Sequence, residues 1–277
     1  GLSFSNWAGQ PENTSSNENG SWGPAFNGET RPWGAIIDNA QQIKPYVALK
    51  NNVREFYELG TTYTNGVRIS GGGDNSNFSV NFTDVTSDGI IPTVADAYNR
   101  KTFGLNAAMN SDKLSVRTSI NYVRKMQNAV NTGQGNDAGE GNTLIQEMLQ
   151  IPTDISVLDL KDYINNPYNT PSNYFTPYAS NPWFVVSENK TTIDGNRLYG
   201  NINLNYAFNK KFSLSYQAGG DYRYEKIKSY GAKVTFDPNT PQSDGGANES
   251  VGGVTERSNE YVEFDTNLML NFNSAIG

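Results

Sequence analysis

Long runs in which apolar and polar residues alternate one by one constrain this chain more than any other feature. From Asn201 to Phe208, Ile202, Leu204, Tyr206 and Phe208 alternate with Asn201, Asn203, Asn205 and Ala207. A period of two is that of a β-strand, whose side chains point to opposite faces in turn. The pattern returns after Asn209-Lys210, where Phe212, Leu214, Tyr216, Ala218, Tyr222 and Tyr224 alternate with Ser213, Ser215, Gln217, Gly219, Arg223 and Glu225. A third run sets Val262, Phe264, Thr266, Leu268, Leu270 and Phe272 against Glu263, Asp265, Asn267, Met269, Asn271 and Asn273. Each run makes a long strand with one oily face and one strongly polar face.

Extending the reading predicts seven strands, near 61–72, 77–86, 99–109, 113–127, 196–209, 211–228 and 255–273. Their connections sort by length. Gly73-Asp74-Asn75-Ser76, Asn110-Ser111-Asp112 and Asn209-Lys210 are short, whereas long loops are expected at 1–60, 128–195 and 229–254, with a medium one after the second strand. Strict alternation of short and long connections is what an up-and-down barrel needs, with tight turns at one end and long loops at the other. A soluble β-sandwich also alternates faces, but its strands are typically about five or six residues long and its loops have no reason to sort. The expected fold class is therefore all-β: a segment of a large transmembrane up-and-down antiparallel β-barrel with long extracellular loops. Ile202, Leu204, Phe212, Leu214, Leu268 and Leu270 discriminate, because they face outward in a barrel and into a packed core in a sandwich.

Composition is compatible with that expectation. Mean hydropathy is -0.62 and no stretch approaches the roughly 18 consecutive apolar residues of a membrane helix. A membrane strand shows lipid only every second side chain, so it averages out as polar. Tyr 16, Phe 13 and Trp 4 supply the aromatics that such strands and their interfacial girdles use. Seven strands are an odd number with two open edges, and Ala275-Ile276-Gly277 closes the sequence just after a strand, so the expectation is a section of a larger barrel. No basic and then apolar leader opens the sequence at Gly1-Leu2-Ser3-Phe4.

Several chemistries are excluded or disfavoured. With no His and no Cys, neither a Ser-His-Asp triad nor a thiolate or imidazole metal site can form, and no enzymatic activity is expected. A net charge of -7 without a Lys/Arg cluster argues against nucleic acid. The Gly-rich Gly133 to Gly141 stretch, with Asp137 and Glu140, and the Asp237 to Asp244 stretch contain oxygen donors for loop calcium, but neither has EF-hand spacing and a solvated loop is the simpler reading. No cofactor or resident metal is expected. Gly71-Gly72-Gly73 lacks the ending of a phosphate loop and reads as a turn.

The long loops carry structure of their own. Asn142 is placed to cap a short helix whose Leu144, Ile145, Met148 and Leu149 share a face and which Pro152 stops, and a second short helix runs from Asn52 through Val53, Phe56 and Tyr57 to Gly60. Aromatic and proline-rich stretches surround Trp33 and run through Tyr174, Tyr178 and Trp183. These four are the candidates for stacking on cargo, since Trp and Tyr combine apolar area with a polar handle. For any one of them, packing loops onto each other or onto a partner is the simpler role.

The segment Asn51-Asn52-Val53-Arg54-Glu55-Phe56-Tyr57-Glu58-Leu59-Gly60, with Thr61-Thr62-Tyr63-Thr64-Asn65 and Ser70-Gly71-Gly72, resembles the SusC/RagA family of TonB-dependent outer-membrane transporters of Bacteroidetes. Ser21-Trp22-Gly23-Pro24, Gly89-Ile90-Ile91-Pro92, Tyr98-Asn99-Arg100, Asn181-Pro182-Trp183 and Asp194-Gly195-Asn196-Arg197 resemble it in the same order. The resemblance implies location in the bacterial outer membrane and a barrel of roughly 22 strands around an N-terminal plug. It also implies a SusD/RagB-like surface lipoprotein as lid, TonB as energy source through the plug, and glycan or oligopeptide cargo. Residues 1–277 would then be a partial barrel without its plug, and the long loops would face the lipoprotein. A secreted β-sandwich adhesin or glycan-binding module is the alternative from a different class.

Overall fold

The computed structural model describes residues 25–130, 143–176 and 179–273. Its main body is one antiparallel sheet of seven strands in sequence order: β3 (Thr61–Gly73), β4 (Ser76–Asp88), β5 (Tyr98–Asn110), β6 (Leu114–Ala129), β7 (Lys190–Ala207), β8 (Phe212–Val234) and β9 (Ser250–Phe272). Every strand pairs with its sequence neighbours, and among the described residues β3 and β9 are the edges. The expected seven strands are present, and β6 to β9 run longer than the alternation indicated.

Tight connections join β3 to β4, β5 to β6 and β7 to β8, so residues 25–60, 89–97, 143–189 and 235–249 all gather at the opposite end. The loops expected at 128–195 and 229–254 are shorter, because β7 begins at Lys190, β8 continues to Val234 and β9 begins at Ser250. Gly71, Gly72 and Gly73 lie in β3 rather than in a turn, and the turn is Asp74-Asn75. Between the paired Val251 and Gly253, β9 carries Gly252, whose φ of +74° and 2.9 Å approach of a Cβ position to the Lys233 N admit only glycine without strain.

The loop end has secondary structure that the alternation could not announce. A hairpin of β1 (Thr30–Ile37) and β2 (Ala40–Pro45) lies within the expected 1–60 loop. Its turn residues Asp38 and Asn39 both have positive φ, at 50° and 61°, which is the twist a two-residue hairpin turn requires. Helix α1 (Asn52–Phe56) stops four residues before the expected Gly60. Helix α2 (Leu144–Leu149) is capped by Thr143, whose side chain accepts from the Gln146 N–H, and the expected cap Asn142 lies outside the described residues. Helix α3 (Pro182–Glu188) starts with Pro at its first turn and Asn181 as cap. A four-residue helix α4 (Pro241–Asp244) sits in the β8–β9 loop. No described helix is long and apolar enough to cross a membrane, which says nothing about strands.

Packing is concentrated at the loop end. The buried apolar residues form one cluster around Trp33, Phe56, Leu144, Met148, Ile155, Val157, Tyr174, Phe175 and Trp183, and a smaller one in which Phe184 and Val185 meet Ala232 and Val234 of β8. The sheet proper buries almost none of its large apolar side chains.

Candidate functional site

Strand pairing places one residue of each strand in a row, and successive rows on one face read as a boundary. Val67, Phe82, Phe103, Tyr122, Leu198, Tyr222 and Val262 form one such row across all seven strands. The next row toward the loops on that face is Asn65, Asp84, Lys101, Arg124, Asn196, Tyr224 and Glu260. Apolar thus gives way to polar and charged within one step, simultaneously on six of the seven strands.

Toward the short turns the same face stays apolar. Met109, Val116, Leu204, Tyr216 and Leu268 share a row, then Leu114, Tyr206, Leu214 and Leu270, and finally Phe212 beside Phe272. The last two rings lie 4.8 Å apart. From Val262 to Phe272 the band runs about 34 Å along β9, or about 26 Å in height for a strand tilted by about 40°. Leu268 and Leu270 are 65% and 67% exposed, Ile202 and Phe212 are also exposed, and Leu204 and Leu214 are half-buried. A sandwich would cover these six with a second sheet. Among the described residues the other sheet is the two-stranded β1–β2 hairpin of the loop region.

The opposite face is polar. One row runs Arg68, Asn81, Gly104, Asn121, Tyr199, Asp221 and Glu263, and the next runs Ser70, Ser79, Asn106, Ser119, Asn201, Gly219 and Asp265. Toward the loops, ions are paired on it: Arg197 holds Asp221 with its Nε 2.9 Å from Oδ1, and Glu225 takes Lys125 at 2.8 Å and Arg223 at 3.2 Å. Arg197 also lies over the Tyr199 ring at 4.5 Å. Beside these pairs is an open hollow of about 530 Å³ lined by Arg197, Arg223, Tyr261 and Glu263, among others. Such a face offers hydrogen bonds and charge along its length, whereas the apolar band of the reverse face offers neither.

The loop core decides where the candidate stacking residues go. Trp183 is 4% exposed, packs 4.7 Å from the Phe56 ring and donates its Nε1–H to the Val157 carbonyl at 2.7 Å. Tyr174 is 1% exposed with its ring 4.5 Å from Phe175, and the Trp33 ring lies 6.1 Å from the same Phe175. The three are thus brought into one cluster, but as its filling: none has a free ring face for cargo in this structure. Tyr178 lies outside the described residues.

Buried carboxamides hold that core together, and sequence reasoning passed over them. Irregular backbone needs partners for its N–H and C=O groups, and an Asn side chain supplies one of each. Asn52 donates to the Ile155 carbonyl at 2.6 Å and accepts from the Val157 N–H at 2.8 Å. Asn181 donates to the carbonyls of Leu160 and Asn169 and caps α3 through the Trp183 N–H. Asn169 donates to the Asp159 carbonyl, and Asn189 accepts from the Ala232 N–H of β8. Gln242 of α4 donates to the carbonyls of Tyr174 and Thr176, which ties the β8–β9 loop to the β6–β7 loop. A buried ion pair between Lys44 and Asp154 fastens β2 to the same core. Burial outweighs the Asp154 charge and lowers the Lys44 pKa. The only local signal was Asn-Pro at a helix start in Asn181-Pro182.

Of the two stretches weighed for calcium, Gly133 to Gly141 lies outside the described residues. In the other, Thr240 caps α4 and Asp237 gives its backbone N–H to Ser172. No three acidic side chains of the described residues gather as metal ligands.

No family model and no curated protein matches the sequence. Solved structures do. The RagAB peptide importer in its closed-closed state aligns at a TM-score of 0.49 and 12% identity, over 80% of this chain and 31% of that one. The ferric-catecholate import receptor Fiu from E. coli K12 aligns in its open form at 0.36 and 12%, over 78% of this chain and 34% of that one. Its closed form aligns at 0.35 and 11%, over 77% and 31%. The chain spans about a third of the length of each.

Proposed function

We propose that this chain is a section of the wall of a TonB-dependent importer in the bacterial outer membrane, of the SusC/RagA type. The observation that carries the reading is the apolar-to-charged boundary that crosses the sheet in register. A band about 26 Å tall on one face matches the apolar height of an outer-membrane barrel, which is about 25 Å. A soluble protein would have to hide that band, and the sheet leaves it exposed. The polar reverse face then lines the interior, and the sorted loops lie outside the cell.

In this reading the remaining strands and a plug complete the barrel, and TonB acts through the plug. The loop core is the part presented to a SusD/RagB-like lipoprotein, and the cargo is an oligosaccharide or oligopeptide too large for a porin. These points rest on the sequence resemblance together with the two-faced sheet. The wall has no catalytic role.

The test is fractionation of the whole protein. It is expected in the outer membrane, soluble only in detergent, and retaining β-structure there. A chain that is soluble, monomeric and cooperatively folded without detergent overturns the proposal.

A further inference from the structure

Helix α2 turns a carboxyl group into the loop core. Leu144, Glu147 and Met148, at positions i, i+3 and i+4, are each 1% exposed, while Ile145 and Leu149 point outward at 60% and 70%. The apolar run therefore admits two stripes, and the core takes the one containing Glu147 rather than the all-apolar set Leu144, Ile145, Met148 and Leu149 expected together.

What surrounds Glu147 suits an acid and not a carboxylate. Its hydrogen-bond donor is the Ser180 N–H, at 2.6 Å from Oε2. No Lys or Arg of the described residues pairs with it: Lys44 is engaged by Asp154, and Lys161 lies over the Trp183 ring at 5.0 Å. The facing segment contributes Tyr174, whose hydroxyl is fully buried and without a partner. From the other packed elements, Asp154 is neutralised by Lys44, and Glu188 of α3 accepts the Tyr163 hydroxyl. Burial raises the Glu147 pKa to about 8, against a smaller lowering by the Ser180 N–H. Burial, and then the charge of Glu147, push the Tyr174 phenol well above its ordinary value, so it stays neutral throughout.

We infer that Glu147 is a proton-operated latch: its neutral carboxyl closes α2 onto Tyr174 and Ser180, and loss of the proton loosens the loop core. The device needs no other titrating group, because among the described residues a carboxylate there has one N–H in place of water and no countercharge. The closed form binds the proton more tightly than the open form, in which the carboxyl meets solvent. Stability of the core is then fully present below about pH 4.5, falls as pH rises toward about 8, and levels off above it. The latch stands on the loop core alone and is independent of whether the sheet lies in a membrane.

Hydrogen exchange on the whole protein, with rates corrected for the intrinsic pH dependence of exchange, tests it. The amides of α2 and of 179–181 are expected to show opening constants that rise about tenfold per pH unit between about 5 and 8 and then plateau. Strand amides of β5 and β6 should not change, which separates the latch from global unfolding. Glu147→Gln keeps an acceptor for Ser180 and should give opening constants independent of pH. Equal wild-type opening constants at pH 5.5 and 7.5 overturn the latch whether or not the variant folds. So does the same rise in Glu147→Gln.

Discussion

Lys125 of β6 and Glu225 of β8 meet at 2.8 Å across an intervening strand, and the residue they cross is Gly195 of β7. A Cβ at Gly195 would lie 3.4 Å from the Lys125 Cε and 3.8 Å from the Glu225 Oε2, so an alanine fits and a larger side chain occupies the bridge. Gly195→Leu is expected to lose the same stability as Lys125→Ala, about 1 kcal/mol for a half-buried pair. A double-mutant cycle between the two sites by denaturant titration checks this. Additive losses would mean that the pair contributes nothing through that crossing.

Adjacent residues of β7 should respond unequally to one charge. Leu204 lies within the apolar band and Asn203 on the polar face. Leu204→Arg is expected to lower folding stability in lipid vesicles by about 2–4 kcal/mol, and Asn203→Arg by less than about 1 kcal/mol. Equal losses would put the band somewhere other than in lipid.

Asn52 satisfies two buried backbone groups with one amide. Asn52→Ala leaves the Ile155 carbonyl and the Val157 N–H without it, which costs about 2–4 kcal/mol. Asn52→Asp keeps the acceptor and loses the donor, so it falls between. Protease cleavage between residues 150 and 160 reads the effect, with β5 and β6 remaining intact.

Trp183→Phe removes the Nε1 donor to Val157 and some buried area. It is expected to destabilise the loop core by about 2 kcal/mol. Cargo affinity measured where the core is still folded should stay within twofold of wild type. A large loss of affinity with an unchanged core would instead make Trp183 a stacking residue.

Lys44→Met leaves Asp154 buried without its countercharge and should cost about 3–5 kcal/mol. The double change Lys44→Met with Asp154→Leu should recover most of it. Thermal unfolding of the loop core, followed by tryptophan emission, distinguishes a pair retained for stability from one retained for geometry.

The sequence by itself determined the sheet. Period-two alternation in Asn201–Phe208 and Val262–Phe272 states both the strand and the face of every side chain, because the pleat repeats every two residues whatever the surroundings. Loop lengths then set the order of strands, since a two-residue turn such as Asp74-Asn75 can join only neighbours.

Tertiary structure decided the loop end. Nothing local announces that Asn52 will bond to residues 155 and 157, over a hundred positions away, or that α2 will bury Glu147 instead of Ile145. Irregular backbone must find its hydrogen-bond partners wherever the fold brings them, and Trp33, Tyr174 and Trp183, which suggested cargo contacts, proved to be the apolar filling around which those bonds close.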